Sequence, residues 1–312
     1  MTTTIKPQYP SESKDGEFVR QDDAFRDWVR ADGSSGYPVA AGRYHLYVSL
    51  ACPWAHRTII MRKLKGLEDA IGMTVVDPIR DERGWKFTFE PDPVNGFAFL
   101  SEAYRKMDPA YRARVTVPVL WDKVTSRIVS NSDDDILRMF ETEFDAVAKH
   151  NDIDYYPVRL HAEIESLNQE IYEKINNGVY RAGFATSQKP YERGAREVFA
   201  ALDRLEERLS NRRYLFGSTP VETDWRLFVT LVRFDAVYYG HFKCNLRRIV
   251  DYPNLWGYTR DLYQFRGAGE TVDLDQIKTH YYFTHEEINP TRIVPIGPTI
   301  DWETPHGRER VE

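Results

Sequence analysis

Apolar positions along the chain follow two different periods, and the change comes near residue 155. The first 43 residues are polar and rich in Gly and Ser, apart from one amphipathic patch from Phe18 to Val29; they read as an arm laid over the body. "YHLYVS" then places Leu46 and Val48 on one face of a strand. After Cys52, residues Ile59, Ile60, Met61, Leu64 and Leu67 recur at helical spacing, which predicts a helix starting near Pro53. Proline suits a first helical turn, whose N–H groups have no partner within the helix. "MTVVDPI" predicts a second strand, and a long polar and aromatic insertion runs from Arg80 to Arg112. "VPVLWD" and "RIVSN" predict a hairpin, and "SDDDILRMFETEF" a helix opening on Asn131 or Ser132.

From about Tyr155 the pattern is helical only. Leu160, Ile164, Leu167, Ile171 and Ile175 form one stripe, and Val198, Leu202, Leu205 and Leu209 a second. A third helix begins between Val221 and Asp224 and runs through "WRLFVTLVRFDAVYYG". Prolines stop further helix in the tail after Ile277. The order β-α-β, insertion, β-β-α is the plan of a thioredoxin-like α/β domain, followed here by an all-α domain. The expected division is an arm at 1–43, a thiol-binding domain at 44–150 with its insertion at 80–112, and a helical domain with an ordered tail at 151–312.

Composition narrows the function classes. The chain has 312 residues, 42% hydrophobic and 29% charged, as in a globular protein with a sizeable core. A formal net charge of −6 gives no ground for a nucleic-acid partner. No apolar run approaches the roughly 18 residues that span a bilayer, and "MTTTIKPQYPSESKDGEF" lacks the basic start and apolar core of a signal peptide. Two cysteines are no disulfide framework, so a reducing cytoplasm is the expected compartment, and no metal is expected. Seven Trp, 19 Tyr and 16 Phe point either to aromatic ligands or to a well-filled core.

One of the two cysteines stands in "SLACPWAHR". At a helix N-terminus a thiol feels the positive end of the helix dipole and unpaired backbone N–H groups. That setting favours thiolate and lowers a thiol pKa from about 8.5 to between roughly 3.5 and 7.5. His56 and Arg57 carry further positive charge in an unknown direction. The bland alternative is a small buried apolar residue. Ala55 occupies the place where a redox dithiol has its second cysteine, so a disulfide formed at Cys52 must be opened by a thiol from outside. This predicts a monothiol mechanism with a small-molecule thiol as co-substrate. Val117-Pro118, at the start of "VPVLWD", holds the place where thioredoxin-like domains set a cis-proline facing the active cysteine.

The segments "SLACPWAHR", "RGWKF", "RVTVPVLWD", "NNGVYRAGFATSQ", "TDWRLFVTLVRFDAVYYGHFKCNLRRI", "DYPNLWGYTRDLYQ" and "IKTHYYFTHEEINPTRIVPIGP" together resemble the glutathionyl-hydroquinone reductases, the Xi class of glutathione transferases. The resemblance covers nearly everything from Tyr44 to Pro298. It implies a glutathione-transferase helical domain after the thioredoxin-like one. It also implies that Cys52 attacks the sulfur of a glutathionyl-hydroquinone and leaves a mixed disulfide that a second glutathione resolves. By the same resemblance Tyr180 handles the proton on the departing ring, and Tyr238 and Tyr281 hydrogen-bond the thiolate. Trp85, Arg114 and Val117, with Pro118, match positions that hold glutathione. An aromatic pocket between the domains and a homodimer formed through the helical domain are implied as well. Cys244 reads as structural.

Two places depart from the pattern. The family usually has Glu-Ser in "SNES", where the glutamate takes the γ-glutamyl amine and the serine the carboxylate; this chain reads "SNSDDDIL", placing Ser132 and Asp133 there. Like charges about 4 Å apart cost about 4 kcal/mol at an effective dielectric near 20, so Asp133 is expected to repel the glutathione carboxylate. That motivates mycothiol, whose sugar–polyol head suits a carboxylate acceptor, as the replacing thiol. A helix-capping role for Ser132 and the three aspartates is the alternative. The second departure is Val221, which stands where a reciprocal Thr-x-x-Asp cap would have its threonine. Two further readings compete with the reductase: a transferase that conjugates electrophiles without needing Cys52, and a non-catalytic protein that keeps the fold.

Overall fold

The computed structural model describes residues 8–88 and 91–311; positions 1–7 of the arm, 89 and 90 of the insertion, and 312 lie outside the described residues. Two compact units divide the chain, and neither is contiguous. A sheet unit takes Asp22–Asp154 and Arg266–His280. A helical unit takes the described residues up to Gln21, Tyr155–Phe265, and the residues from Tyr281 onward.

The sheet unit is built on four strands: β3 (Tyr44–Val48), β4 (Ile71–Val75), β5 (Val119–Asp122) and β6 (Arg127–Ser130). They lie in the order β4-β3-β5-β6, with β3 parallel to β4 and antiparallel to β5. This mixed sheet bears out the thioredoxin-like plan. Leu46 and Val48 are buried, and so are Tyr44, His45 and Tyr47, because a central strand covered on both faces has no wet side. Their polar tips are satisfied locally: Tyr47 Oη donates to Asp92 at 2.9 Å, and His45 Nε2 meets Thr74 Oγ1 at 2.7 Å. The β5–β6 hairpin slips register between Leu120 and Trp121. Part of the arm covers the β6 edge: Asp27 N–H donates to Val129 at 3.0 Å and Asn131 N–H to Phe25 at 3.0 Å. An edge strand so paired has no free row of donors and acceptors.

Three α-helices lie wholly within the described residues of this unit: α1 (Pro53–Leu64), α2 (Ser101–Met107) inside the insertion, and α3 (Asp133–Thr142). Every residue from Pro53 to Met61 is buried, so α1 is a core helix rather than an amphipathic one, and it lies against α3.

The helical unit contains α4 (His161–Ile171), α5 (Gly178–Gly183), α6 (Gln188–Arg208), α7 (Glu222–Arg233) and α8 (Pro253–Gln264). The boundary between the units falls inside α9 (Leu274–Thr284). A short hairpin, β1 (Ser13–Lys14) with β2 (Glu17–Phe18), also belongs to the helical unit. In the first predicted stripe Ile164, Ile171 and Ile175 are buried, whereas Leu160 and Leu167 are half-buried beside an open hollow lined also by Phe216 and Arg208. The second stripe is buried throughout.

Two π-helical turns interrupt what the periodicity reads as plain helix, at Tyr172–Asn176 and Phe234–Tyr238. Such single turns recur at functional positions because the extra residue re-aims the side chains that follow. Val221 has no side-chain oxygen with which to cap α7. Asp224 supplies the other half of the cap, accepting from Val221 N–H at 2.8 Å, and it also takes Leu215 N–H at 2.9 Å and Tyr258 Oη at 2.8 Å.

Candidate functional site

In the sheet unit the thiol side of the site begins with Cys52, the N-cap residue of α1 with extended backbone (φ −78°, ψ 120°), followed by Pro53 in the first turn. The carbonyl of Cys52 starts the helix by accepting from His56 N–H at 3.0 Å. Its thiol is half-exposed, and Sγ lies 3.7 Å from the Val117 carbonyl oxygen. Val117 and Pro118 are buried, and the peptide bond joining them is cis. Thus two segments separated by 65 residues meet at the thiol, in the places the thioredoxin-like plan gives them.

The charged neighbours of Cys52 are already engaged. His56 is buried, and its Nε2 meets Thr271 Oγ1 at 2.7 Å. Arg57 is 1% exposed, and its Nη1 donates to Asp133 at 2.8 Å and to Asp134 at 3.1 Å. The guanidinium also lies 4.8 Å from the centre of the Trp54 ring. So Asp133 does not present a bare negative charge at the start of α3. One buried cation is shared there between two carboxylates, so the repulsion expected from sequence is lessened rather than removed. Ser132 is the N-cap of α3; its hydroxyl accepts from Asp135 N–H at 3.3 Å, which accords with the capping role. Sequence showed Arg57 beside the cysteine but not that it turns toward α3.

The other proposed thiol-binding residues lie in the same unit. Trp85 is buried, stacked on His280 at 5.1 Å, with the Arg80 guanidinium 5.5 Å from its ring centre. His280 is itself fixed, its Nδ1 2.7 Å from the Pro78 carbonyl. Arg114 is half-buried in the loop before Val117, its carbonyl accepting from Tyr111 Oη at 3.2 Å.

The three tyrosines named from sequence come together in the helical unit. Tyr281 Oη lies 2.5 Å from Tyr180 Oη and 3.0 Å from Tyr238 Oη, so one hydroxyl bridges the other two. Tyr180 comes from α5, Tyr238 from the π turn after α7, and Tyr281 from α9. Burial pushes the Tyr281 hydroxyl well above the usual phenol range, and the neighbouring tyrosines push it the same way. Phe242 packs against all three, with ring centres 5.4, 5.4 and 5.7 Å away. Gly183 makes that possible: a Cβ there would overlap the Phe242 ring. Behind them His241 Nε2 lies 3.2 Å from His285 Nδ1, and burial takes the His241 pKa down to about 3. Phe242, His241 and His285 carried no sequence signal, since lone aromatics read as core.

Cys244 is fully buried and burial pushes its thiol up to about 12, as a structural cysteine requires. Among the described residues no group of three or more His, Cys, Asp or Glu could hold a metal ion, and no helix is long and apolar enough to cross a membrane.

The family model of the glutathione S-transferase N-terminal domain matches residues 51–143, and that of the C-terminal domain residues 188–261. The glutathionyl-hydroquinone reductase YqjG of Escherichia coli strain K12 is 52% identical over 314 residues, covering 96% of this chain and 95% of that protein. Its glutathione-bound structure superimposes with a TM-score of 0.88, covering 91% of this chain and 96% of that one. The glutathionyl-hydroquinone reductase PcpF of Sphingobium chlorophenolicum is 48% identical, covering 93% of this chain and 92% of that protein. The Xi-class glutathione transferase of Natrialba magadii is 50% identical, with a TM-score of 0.90 over 92% of this chain and 89% of that one. The resemblance read from the motifs is borne out, and the chain belongs to the Xi class of the glutathione transferase family as an enzyme of the glutathionyl-hydroquinone reductase type.

Proposed function

We propose that this protein reduces glutathionyl-hydroquinones through a mixed disulfide at Cys52. The Cys52 thiolate attacks the sulfur of the conjugate and a sulfur–sulfur bond forms. The aryl carbon–sulfur bond breaks with its electron pair left on the ring, and Tyr180 donates the proton that turns that carbon into C–H. A second glutathione thiolate then attacks the glutathione-derived sulfur, releasing glutathione disulfide and restoring Cys52. Two thiol sulfurs are oxidised and the ring carbon is reduced, so the electrons balance.

The observation that carries this reading is the half-exposed thiol at the helix N-cap, 3.7 Å from the carbonyl of Val117, with alanine at position 55. A thiol held there favours its anion and can be resolved only from outside. The Val117 backbone suits the cysteinyl part of a thiol peptide, paired like an added strand, with Trp85, Arg114, Pro118, Ser132 and Asp133 completing the thiol site. Tyr238 and Tyr281 are assigned to hydrogen-bonding the thiolate. A phenol remains protonated at neutral pH and therefore serves as the proton reservoir. The glutathione-bound relative favours glutathione over mycothiol as the thiol. A cytoplasmic homodimer is the form in which we expect it to work.

Intact mass after incubation with glutathione disulfide, and separately with mycothiol disulfide, tests the thiol. A single glutathione adduct at Cys52, together with turnover of a glutathionyl-hydroquinone, is the expected result. An adduct from mycothiol alone moves the same chemistry to that thiol. No adduct from either, with no turnover, removes the reductase reading.

A further inference from the structure

Tyr104, carried by α2 inside the insertion, is fully buried, with its ring 5.0 Å from that of Tyr111 and 5.7 Å from that of Phe25. Its hydroxyl meets all three polar groups of Thr116: the carbonyl oxygen at 2.8 Å, Oγ1 at 3.1 Å and the backbone N–H at 3.3 Å. Asn131 fixes which way the protons point. Its Oδ1 accepts from Phe25 N–H at 2.8 Å, so the group 3.0 Å from Thr116 Oγ1 is Nδ2, which can only donate. The Thr116 hydroxyl therefore gives its own proton to Tyr104, and the Tyr104 proton goes to the Thr116 carbonyl, which can only accept. Burial pushes the Tyr104 phenol above its usual range, so that proton stays in place at any working pH. Two residues earlier, the Arg114 carbonyl accepts from Tyr111 Oη at 3.2 Å. Two tyrosines of the insertion thus hold two carbonyls of the stretch that contains Arg114 and Val117.

The peptide link that Tyr104 grips is the one leading into Val117. Because the C–N bond of a peptide does not rotate freely, a carbonyl held in place also sets the direction of the next N–H. The N–H and carbonyl of Val117 are the groups that a cysteinyl backbone would pair with in strand addition. Asn131 brings in a second segment: it stands directly before Ser132 and Asp133, and through Thr116 it ties the start of α3 to the same loop. We propose that Tyr104 is a positioning residue for thiol binding, acting through Thr116 on the backbone of Val117; this rests on the thiol-site reading above. Without the hydroxyl the loop keeps its path but loses the set of its Val117 peptide, so the site is present and misplaced. That falls on binding of the thiol peptide before it falls on the reactivity of Cys52, whose place is set by α1.

S-methylglutathione, which cannot form a disulfide, is the probe, and its Kd by calorimetry with the full-length protein is the readout. Tyr104→Phe keeps the ring and removes the hydroxyl. It is expected to raise Kd about tenfold, because the Thr116 carbonyl and N–H lose their partner. The rate of Cys52 alkylation by iodoacetamide at pH 7 should stay within about twofold of wild type, since that reagent needs only the thiolate and makes no use of the Val117 backbone. Thr116→Ser keeps every bond and should bind like wild type. Thr116→Val takes the hydroxyl from both Tyr104 and Asn131 and should raise Kd at least about threefold. A Tyr104→Phe protein that melts lower but binds S-methylglutathione as tightly as wild type overturns the proposal, because the hydroxyl then serves stability alone. Equal losses of binding and of alkylation overturn it as well, since the defect then reaches beyond the Val117 peptide. Should Tyr104→Phe not fold, the pair at position 116 decides, and equal Kd values for Ser and Val overturn the proposal. If wild type does not bind S-methylglutathione at millimolar concentration, the thiol-site reading itself has failed, and Tyr104 has nothing to position.

Discussion

The thiol end of α1 and the tyrosine trio are made in opposite ways. Cys52 owes its setting to its immediate neighbours: Pro53 opens the helix, Cys52 caps it, and Ala55 stands where a redox dithiol has its second cysteine. The trio draws its hydroxyls from positions 180, 238 and 281, and nothing in any one segment announces the others. Polarity differs too. The thiol residue is partly exposed, whereas Tyr281 is buried among other aromatic rings. A reactive group defined by local backbone tolerates change around it but not at it. A group defined by packing is sensitive to its whole surroundings.

The largest effect should come from breaking the local side. Cys52→Ser is expected to lower reductase turnover by at least about a thousandfold, since the step it removes has no substitute nucleophile, while the melting temperature stays close to wild type. Cys244 is the internal control. With its thiol pushed up to about 12 and no exposure, iodoacetamide at pH 7 should modify wild type once and Cys52→Ser not at all. Retention of turnover by Cys52→Ser would favour plain conjugation chemistry.

The packed side is broken from behind. Gly183→Ala puts a methyl group into the Phe242 ring, and Phe242 touches all three tyrosines. Overpacking of this kind costs about 1–3 kcal/mol, which should appear as a lower midpoint in urea together with a fall in kcat of the intact fraction. A variant with lowered stability but wild-type kcat would mean that the trio does not depend on Phe242 for its geometry.

The same contrast explains what could be read from the chain. The order of strands and helices was legible because each carries its own period, and the start of α1 was legible because Cys52-Pro53 is itself a signal. The trio was legible only through the motifs around "GVYRAG" and "HYY", since a tyrosine in isolation looks like core. Three features were not legible. The π turn that carries Tyr238 differs from ordinary helix by one residue and leaves the apolar stripe intact. The direction of Arg57 depends on where α3 lies, so the charge of Asp133 was taken as uncompensated when Arg57 in fact meets it. The arm was read as cover with an amphipathic patch from Phe18 to Val29, but not where the start of that patch lies: Phe18 and Arg20 lie against Tyr180, a contact fixed by the fold rather than by any local pattern.

The smallest expected effect separates the two units by pH. Burial lowers His45 of the sheet unit to about 4 and His241 of the helical unit to about 3, so both fold as neutral imidazoles. Unfolded, each takes a proton near pH 6.5. Between that value and its folded pKa the unfolded state binds more protons, and stability must fall as the pH falls. Asp224 acts in the opposite sense. Burial raises it to about 6, so between 6 and its unfolded value of 3.8 the folded state holds the extra proton, and its contribution to stability rises as the pH falls. In the helical unit His241 is opposed down to about pH 4 by Asp224 and by Asp235, which burial also raises. Urea midpoints at pH 7, 6, 5 and 4 for His241→Gln and His45→Gln would resolve this. Both variants should lose less stability on acidification than wild type, and His241→Gln should show the greater flattening at pH 4, because its folded value lies further from 6.5. Parallel acid limbs in wild type and His241→Gln would mean that the His241–His285 pair is charged in the folded protein, and that the surface behind the tyrosines is not neutral.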